Sequence, residues 1–347
     1  MAPNVTVEEE ITQKSLDLQK LALTKGNYLV FPEKKYPEIE VFEHENRGKR
    51  GDPKKASLFD NASKVFDLTP HIGTEIHGLQ LSQLTEQQKD DLALLVAERG
   101  VLVFRDQDIN VDEGLDFARS FGPLHIHATF GHPPGYPEIH TVYFDTKLVH
   151  FLDGWHSDVS YEKQPAGVTL LKMDIVPEVG GDTLWHSGYA AYDRLSKPLQ
   201  KFLEGLKAVH SGQDQLDEAT RFGRTIRRQH VEQAHPIVRV HPVTGWKSLY
   251  VQPVFTRRIE GLRKHESDAI LKLLYEHING GYDFTVRVKW ETNTVVVWDN
   301  TVTSHNAIFD YLDVGTRHGW RATSQAEAPY FDPNGKSKAE ADAEAKN

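Results

Sequence analysis

A histidine and an aspartate stand two residues apart in Trp155-His156-Ser157-Asp158. On an extended strand, residues i and i+2 point to the same side. One imidazole nitrogen and one carboxylate oxygen can then meet a single metal ion. A third ligand from a distant strand would complete a set of two histidines and one carboxylate. That set leaves open positions on octahedral Fe(II) for a cosubstrate and O2. The candidate is His305, 149 residues later and just past the apolar run Val295-Val-Val-Trp-Asp-Asn300. Alone, an H-x-D triplet is a weak signal. Such triplets arise by chance, and a histidine beside a tryptophan is more often a satisfied structural residue.

Two arginines sharpen the reading. Arg317 follows His305 by 12 residues and Arg321 by 16. In an extended segment, i and i+4 share a side. A dicarboxylate cosubstrate needs a planar bidentate donor for its far carboxylate, which Arg supplies better than Lys. Either arginine alone would be read as a surface ion pair.

Composition limits the alternatives. The 347 residues include no cysteine, 18 histidines, 40 Lys+Arg and 50 Asp+Glu, for a formal charge of −10. Without thiols there is no disulfide framework, no cysteine zinc site and no iron–sulfur cluster, so a transition metal must be held by His and carboxylate. The acidic balance argues against a nucleic-acid partner. The first residues, Met1-Ala-Pro-Asn-Val-Thr-Val, lack the basic and apolar regions of a secretory signal. No stretch approaches the roughly 20 apolar residues of a membrane span. The expectation is a cytoplasmic protein without a membrane partner.

The elements that must position these residues follow from pattern. Residues 1–65 read as a polar arm around a short helix near 7–23, residues 66–330 as one domain, and 331–347 as a charged, frayed tail. Thr85-Glu-Gln-Gln88 is a capping box for a helix with Leu92, Leu95 and Val96 on one face, ended by Gly100. Asn110 caps a second helix. Ile270, Leu273, Leu274 and Ile278 mark a third, stopped at Gly280-Gly281. From 166 onward, short strands dominate: Val168–Leu171, Thr183–Trp185, Ile237–Val240, Ser248–Val251, Phe284–Val288, Thr294–Trp298 and Arg321–Thr323. Many short strands between Gly, Pro and Asn turns predict a mainly β fold with flanking helices, an antiparallel barrel or jelly roll.

The runs Phe121-Gly-Pro-Leu-His-Ile-His127, Trp155-His-Ser-Asp158, Gly180-Gly-Asp-Thr-Leu-Trp185, Arg194-Leu-Ser-Lys-Pro-Leu199, His235-Pro-Ile-Val-Arg-Val-His-Pro242 and Trp298-Asp-Asn300 through His305 to Arg321 occur in one order. In these runs, residues 66–330 resemble the Fe(II)- and 2-oxoglutarate-dependent taurine dioxygenase family, in particular its fungal sulfonate dioxygenases. The resemblance implies a double-stranded β-helix (a cupin-like jelly roll). It implies His156, Asp158 and His305 as catalytic iron ligands, and Thr183 and Arg317 for the far carboxylate of 2-oxoglutarate. Arg321 and His127 would face the anionic head of the primary substrate, with the backbone N–H of Val159 beside them. The implied reaction consumes O2 and 2-oxoglutarate and hydroxylates the carbon next to the sulfur group of an alkyl or aryl sulfonate or a sulfate ester. Its products are aldehyde plus sulfite or sulfate, with succinate and CO2. Family habit implies a homo-oligomer, a dimer or tetramer.

The chain departs from the taurine pattern where Phe130 and Leu152 replace an aromatic hydroxyl and an amide that recognise taurine's amino group. A buried ammonium without partners is costly, so a small anion with a more apolar body is expected. Two alternatives remain: the same chemistry on a carboxylate substrate (an aryloxy- or amino-acid hydroxylase), or a non-catalytic jelly-roll binding protein. His132, His140 and His150 read as ordinary loop residues, His235 and His241 as strand-end scaffolding, and Lys172, Arg227 and Arg228 as surface charge.

Overall fold

The computed structural model describes residues 23–25, 28–144, 154–312 and 314–346. The helix expected near 7–23 lies outside them except for Leu23, as do His150 and Leu152.

Two sheets carry the site. The larger runs, edge to edge, Lys64–Asp67, Thr74–His77, Val101–Phe104, Val295–Asp299, Ala166–Ile175, Arg317–Gln325 and Ile139–Phe144. All neighbours are antiparallel except Thr74–His77 with Val101–Phe104. The smaller sheet is Thr285–Val288, Thr183–Ser187 and Thr303–Ala307, all antiparallel. Among the described residues the two sheets face each other without closing into a barrel.

Alternation along the strands explains this layering. Leu102, Phe104, Leu170, Val295 and Val297 pack on the side of the helices Glu86–Arg99 and Val111–Arg119, against Leu92, Leu95, Val96, Leu115 and Ala118. Their sequence neighbours Val101, Val103, Leu171, Val296 and Trp298 pack the other way, against Trp185, Val286 and Val288 of the small sheet. Apolar residues at both parities of a two-residue period give a sheet buried on both faces. A third cluster joins the helix Lys264–Asn279 to Ile237, Val238 and Leu249.

Helix ends follow their local chemistry. Thr85 with Gln88, and Asn110 with Glu113, each form a reciprocal capping box, a device worth about 1 kcal/mol. Gly100 ends the first helix at φ +73°. In the second helix a Cβ at Gly114 would overlap the Trp320 ring, so glycine lets the helix seat on the sheet. The third helix spans Lys264–Asn279, but its buried stripe is Leu271, Leu274 and Ile278, and Leu273 is exposed. Leu273 falls outside that i, i+3, i+7 row.

The tail differs from the frayed segment expected. Lys338–Ala345 is a helix capped by Ser337 and Glu340. The Ala339 N–H donates to Asp193, and the Lys338 ammonium lies 4.5 Å from the Trp246 ring centre. Specific partners outweigh the low apolar content. The described part of the arm is pinned in the same way: Tyr36 bonds His132 at 3.0 Å, and buried Arg47 bonds Asp90 at 2.7 Å. No helix of the described residues is long and apolar enough to cross a membrane.

Candidate active site

One cavity lies between the sheets. Its wall includes His127, Phe130, His140, His156, Asp158, Val159, Thr183, His305, Arg317 and Arg321. Every described member of the sequence-predicted site is therefore brought to one chamber. Val142, Leu171, Trp185, Phe255, Trp298 and Phe309 complete it with apolar surface.

His156 and His305 face each other across an isolated antiparallel bridge, with the His156 N–H on the His305 carbonyl (3.1 Å) and the reverse bond at 2.8 Å. His305 sits on Thr303–Ala307, the edge strand of the small sheet. Ligand atoms of His156, Asp158 and His305 all lie within 4.8 Å of one another, and no other such cluster occurs among the described residues. Both imidazole Nε2 atoms are 4.0 Å from Asp158 Oδ1. His156 Nδ1 is 3.0 Å from the Gly154 carbonyl. An N–H there donates, which leaves the Nε2 lone pair for a metal.

The H-x-D run is not the regular strand end expected. The chain turns at Asp158, and Val159 has φ +44°. A β-branched residue in that region is strained by about 1–3 kcal/mol. The turn is held by the Glu162 N–H on the Val159 carbonyl (2.9 Å) and by the Asp158 N–H on Asn300 Oδ1 (3.2 Å). Asn300 is a buried hub. Its Oδ1 also accepts from Trp298 Nε1 (3.0 Å), and its Nδ2 donates to the Gly167 carbonyl and to Thr169 Oγ1, both at 2.9 Å.

Electrostatics suit a cation. Burial lowers the pKa of His156 and His305, so both imidazoles are neutral at pH 7. Burial pushes the Asp158 carboxyl up, but Arg321 and the two imidazoles outweigh it and hold it far below the usual range. Two neutral imidazoles and a carboxylate with free lone pairs fit Fe(II).

Arg317 and Arg321 share the strand Arg317–Gln325 at i and i+4, about 13 Å apart along an extended chain. Arg317 is only 3% exposed, and no carboxylate of the described residues lies within ion-pair distance of it. Its Nη2 donates to Thr183 Oγ1 at 3.2 Å, and its Nε has no partner among the described residues. Thr183 Oγ1 also accepts from Trp290 Nε1 at 3.0 Å, which turns its own O–H outward. A buried guanidinium with an orphaned nitrogen and an adjacent hydroxyl donor is built for an external carboxylate.

At the other end, Arg321 Nη1 contacts both Asp158 oxygens, at 2.9 and 3.0 Å. His127 Nδ1 accepts the backbone N–H groups of Thr129 (3.1 Å) and Phe130 (3.2 Å). Its ring proton is therefore on Nε2, and burial holds the ring neutral. His125, two residues before, turns instead to Glu162 at 3.2 Å.

Three readings of the sequence are corrected. His140 is no loop residue: it lies on Ile139–Phe144 in the cavity wall and accepts from Arg321 Nε at 2.8 Å. Two residues apart on that strand, His140 and Val142 share the side that faces the cavity. Arg227 and Arg228 are buried, and Arg228 bonds Glu162 at 2.7 Å. Lys172 is buried beside Asp174 at 3.4 Å. Charged type suggested a surface, but a partner fixed elsewhere in the chain permits burial. Gln215, which sequence reading passed over, also lines the chamber, and the Tyr161 hydroxyl donates to it at 2.9 Å. His241 bonds Asp299 at 3.1 Å and His235 bonds the Glu162 carbonyl at 2.9 Å, both away from the cavity.

Residues 64–323 match the family model described as taurine catabolism dioxygenase TauD, TfdA family. The chain is 42% identical over 318 residues to the alpha-ketoglutarate-dependent sulfonate dioxygenase of Saccharomyces cerevisiae, covering 87% of this chain and 77% of that one. It is 44% identical over 320 residues to an alpha-ketoglutarate-dependent dioxygenase of Penicillium expansum, covering 87% and 86%. Among solved structures, a taurine dioxygenase from Burkholderia xenovorans aligns with TM-score 0.67 at 34% identity, over 79% of this chain and 94% of its own.

Proposed function

The chain belongs to the taurine catabolism dioxygenase TauD, TfdA family, and from that premise we propose that it hydroxylates the hydrogen-bearing carbon next to the sulfur group of an alkyl sulfonate, aryl-substituted or not, or of an alkyl sulfate ester. It is an alpha-ketoglutarate-dependent dioxygenase that takes Fe(II), 2-oxoglutarate and O2. The α-hydroxylated product collapses to an aldehyde and sulfite, or sulfate for an ester. The observation that carries the reading is Arg317: a buried guanidinium without a carboxylate partner among the described residues, in the same chamber as a His–Asp–His cluster.

In this reading His156, Asp158 and His305 hold the iron. Arg317 and the outward Thr183 hydroxyl take the far carboxylate of 2-oxoglutarate. Iron and 2-oxoglutarate, when bound, supply the O2 activation and the oxidising power for hydroxylation. The protein does the rest. Arg321 and the Nε2–H of His127 receive the sulfonate. Val159 shapes the turn beside the carboxylate ligand. Phe130, Val142, Leu171 and Phe309 keep water out and accept an apolar substrate body, in accord with the absent hydroxyl at Phe130. We read the facing sheets as a double-stranded β-helix and 66–330 as the catalytic domain. The match over 64–323 and the packing of Val296 and Trp298 onto Trp185 support this.

The test is anaerobic reconstitution with Fe(II) and 2-oxoglutarate, then O2 with a panel of alkanesulfonates, sulfate esters and aryloxy carboxylates. Succinate and sulfite should rise together with a sulfonate. His156→Ala and Asp158→Ala should abolish both; near-normal turnover in the two variants refutes the iron assignment. Succinate formed with a carboxylate alone refutes the substrate class.

A further inference from the structure

The strands Ile139–Phe144 and Arg317–Gln325 pair in a register that sets His140 opposite Arg321. Arg321 Nε donates to His140 Nδ1 at 2.8 Å. An imidazole nitrogen that accepts carries no proton, so the ring proton is on Nε2. Arg321 Nη1 is engaged by Asp158, at 2.9 and 3.0 Å. Nη2 has no protein acceptor among the described residues, and the side chain lines the cavity. The His140 ring is itself fixed: it stacks on Phe130 with centroids 4.2 Å apart at 24°.

A guanidinium beside a carboxylate favours two parallel N–H···O bonds. Here one nitrogen serves both Asp158 oxygens, because His140 holds Nε away from them. We infer that His140 is a positioning residue that aims the Arg321 guanidinium at the substrate anion instead of letting it close on Asp158. The anion then meets Arg321 Nη2 and the Nε2–H of His127, whose ring centroid is 5.6 Å from that of His140. With its acceptor gone, Arg321 turns to a two-nitrogen pair with Asp158, and the substrate loses its donor. This deepens the sulfonate reading and rests on it.

His140→Phe keeps the stack on Phe130 and deletes the acceptor; His140→Asn restores an acceptor without the ring. The probe is pentanesulfonate, with the full chain loaded with Fe(II) and 2-oxoglutarate. His140→Phe should raise the pentanesulfonate KM roughly tenfold to a hundredfold, as expected for loss of a charged hydrogen bond. The 2-oxoglutarate KM should stay within about twofold. Anaerobic calorimetry should show pentanesulfonate binding weakened to match, and His140→Asn should recover most of it. Unchanged pentanesulfonate affinity in His140→Phe overturns the inference. So does an equal rise in both KM values that Asn does not rescue, since that marks a structural role. If His140→Phe does not fold, His140→Leu poses the same question. Sulfite release by the unaltered chain tests the sulfonate reading separately. If there is none, the anion that does trigger succinate formation becomes the probe, and the same variants still decide on His140.

Discussion

Removing the side chain of Asn300 should cost both stability and metal affinity. The residue is fully buried and makes four side-chain hydrogen bonds, to the Asp158 N–H, Trp298 Nε1, the Gly167 carbonyl and Thr169 Oγ1. In Asn300→Ala the last two partners keep other bonds: Gly167 still accepts the Asn300 backbone N–H at 2.9 Å, and Thr169 still meets Thr323 at 3.0 Å. The Asp158 N–H and Trp298 Nε1–H are left as buried donors without acceptors. Each costs about 1–3 kcal/mol, so the variant should lose about 2–6 kcal/mol in urea unfolding of the metal-free protein. The loss reaches the metal as well, because the freed amide belongs to the carboxylate ligand. Co(II) affinity should fall about 10–100-fold, the usual effect of removing an outer partner of a ligand. A loss below about 1 kcal/mol with Co(II) affinity intact would refute the hub.

Arg317→Met should separate function from stability. It should raise the 2-oxoglutarate requirement at least about tenfold, through loss of a charged fork. It should also stabilise the ligand-free protein by about 1 kcal/mol or more, because a buried cation without a carboxylate is removed. An unchanged 2-oxoglutarate requirement with weaker sulfonate binding would mean that the two arginines have exchanged roles. Burial lowers His186, His235 and His318 to about 4. In the unfolded chain these groups bind protons below about pH 6.5; in the folded protein they do so only near 4. Their stabilisation is present above the unfolded value and falls as pH drops toward 4, by up to about 1.4 kcal/mol per pH unit for each histidine. A urea midpoint that stays constant from pH 7 to pH 5 would contradict this.

What could be read from the chain, and what could not, divides along physical lines. Metal and dicarboxylate chemistry accept few residue types, so His156, Asp158, His305 and Arg317 stand out by type and spacing. Thr85-Gln88 and Gly100 were equally plain, because caps and stops are set by residues within one turn. Val159 was opaque in conformation: a β-branched residue argues against a left-handed turn, and only Asn300, 141 positions on, and Glu162 hold it there. Arg228 was misread for the same reason, since it is buried against Glu162 and His125. Its burial is affordable only through partners that lie up to 103 positions away.

The same division bears on what the cavity selects. Arg317, Thr183 and His305 sit on paired strands of two sheets, whose register fixes their spacing. The far end of the chamber is different. His127 and Phe130 lie outside regular strands, and Gln215 comes from the short helix Gln213–Arg221. The Arg224 guanidinium, just past that helix, lies 5.9 Å from the Phe130 ring centre. Segments of that kind accept substitution without disturbing the sheets. The cosubstrate end is therefore rigid by construction, and the substrate end is where one scaffold can change its anion. Arg321 belongs to both: its backbone is set by the sheet, while its guanidinium is shared between Asp158 and His140. Substitutions around Phe130, His140 and Gln215 should thus alter which sulfonate is used and leave the 2-oxoglutarate requirement near its original value. A panel of such variants whose 2-oxoglutarate KM moved in step with the sulfonate KM would show that the two ends are not independent.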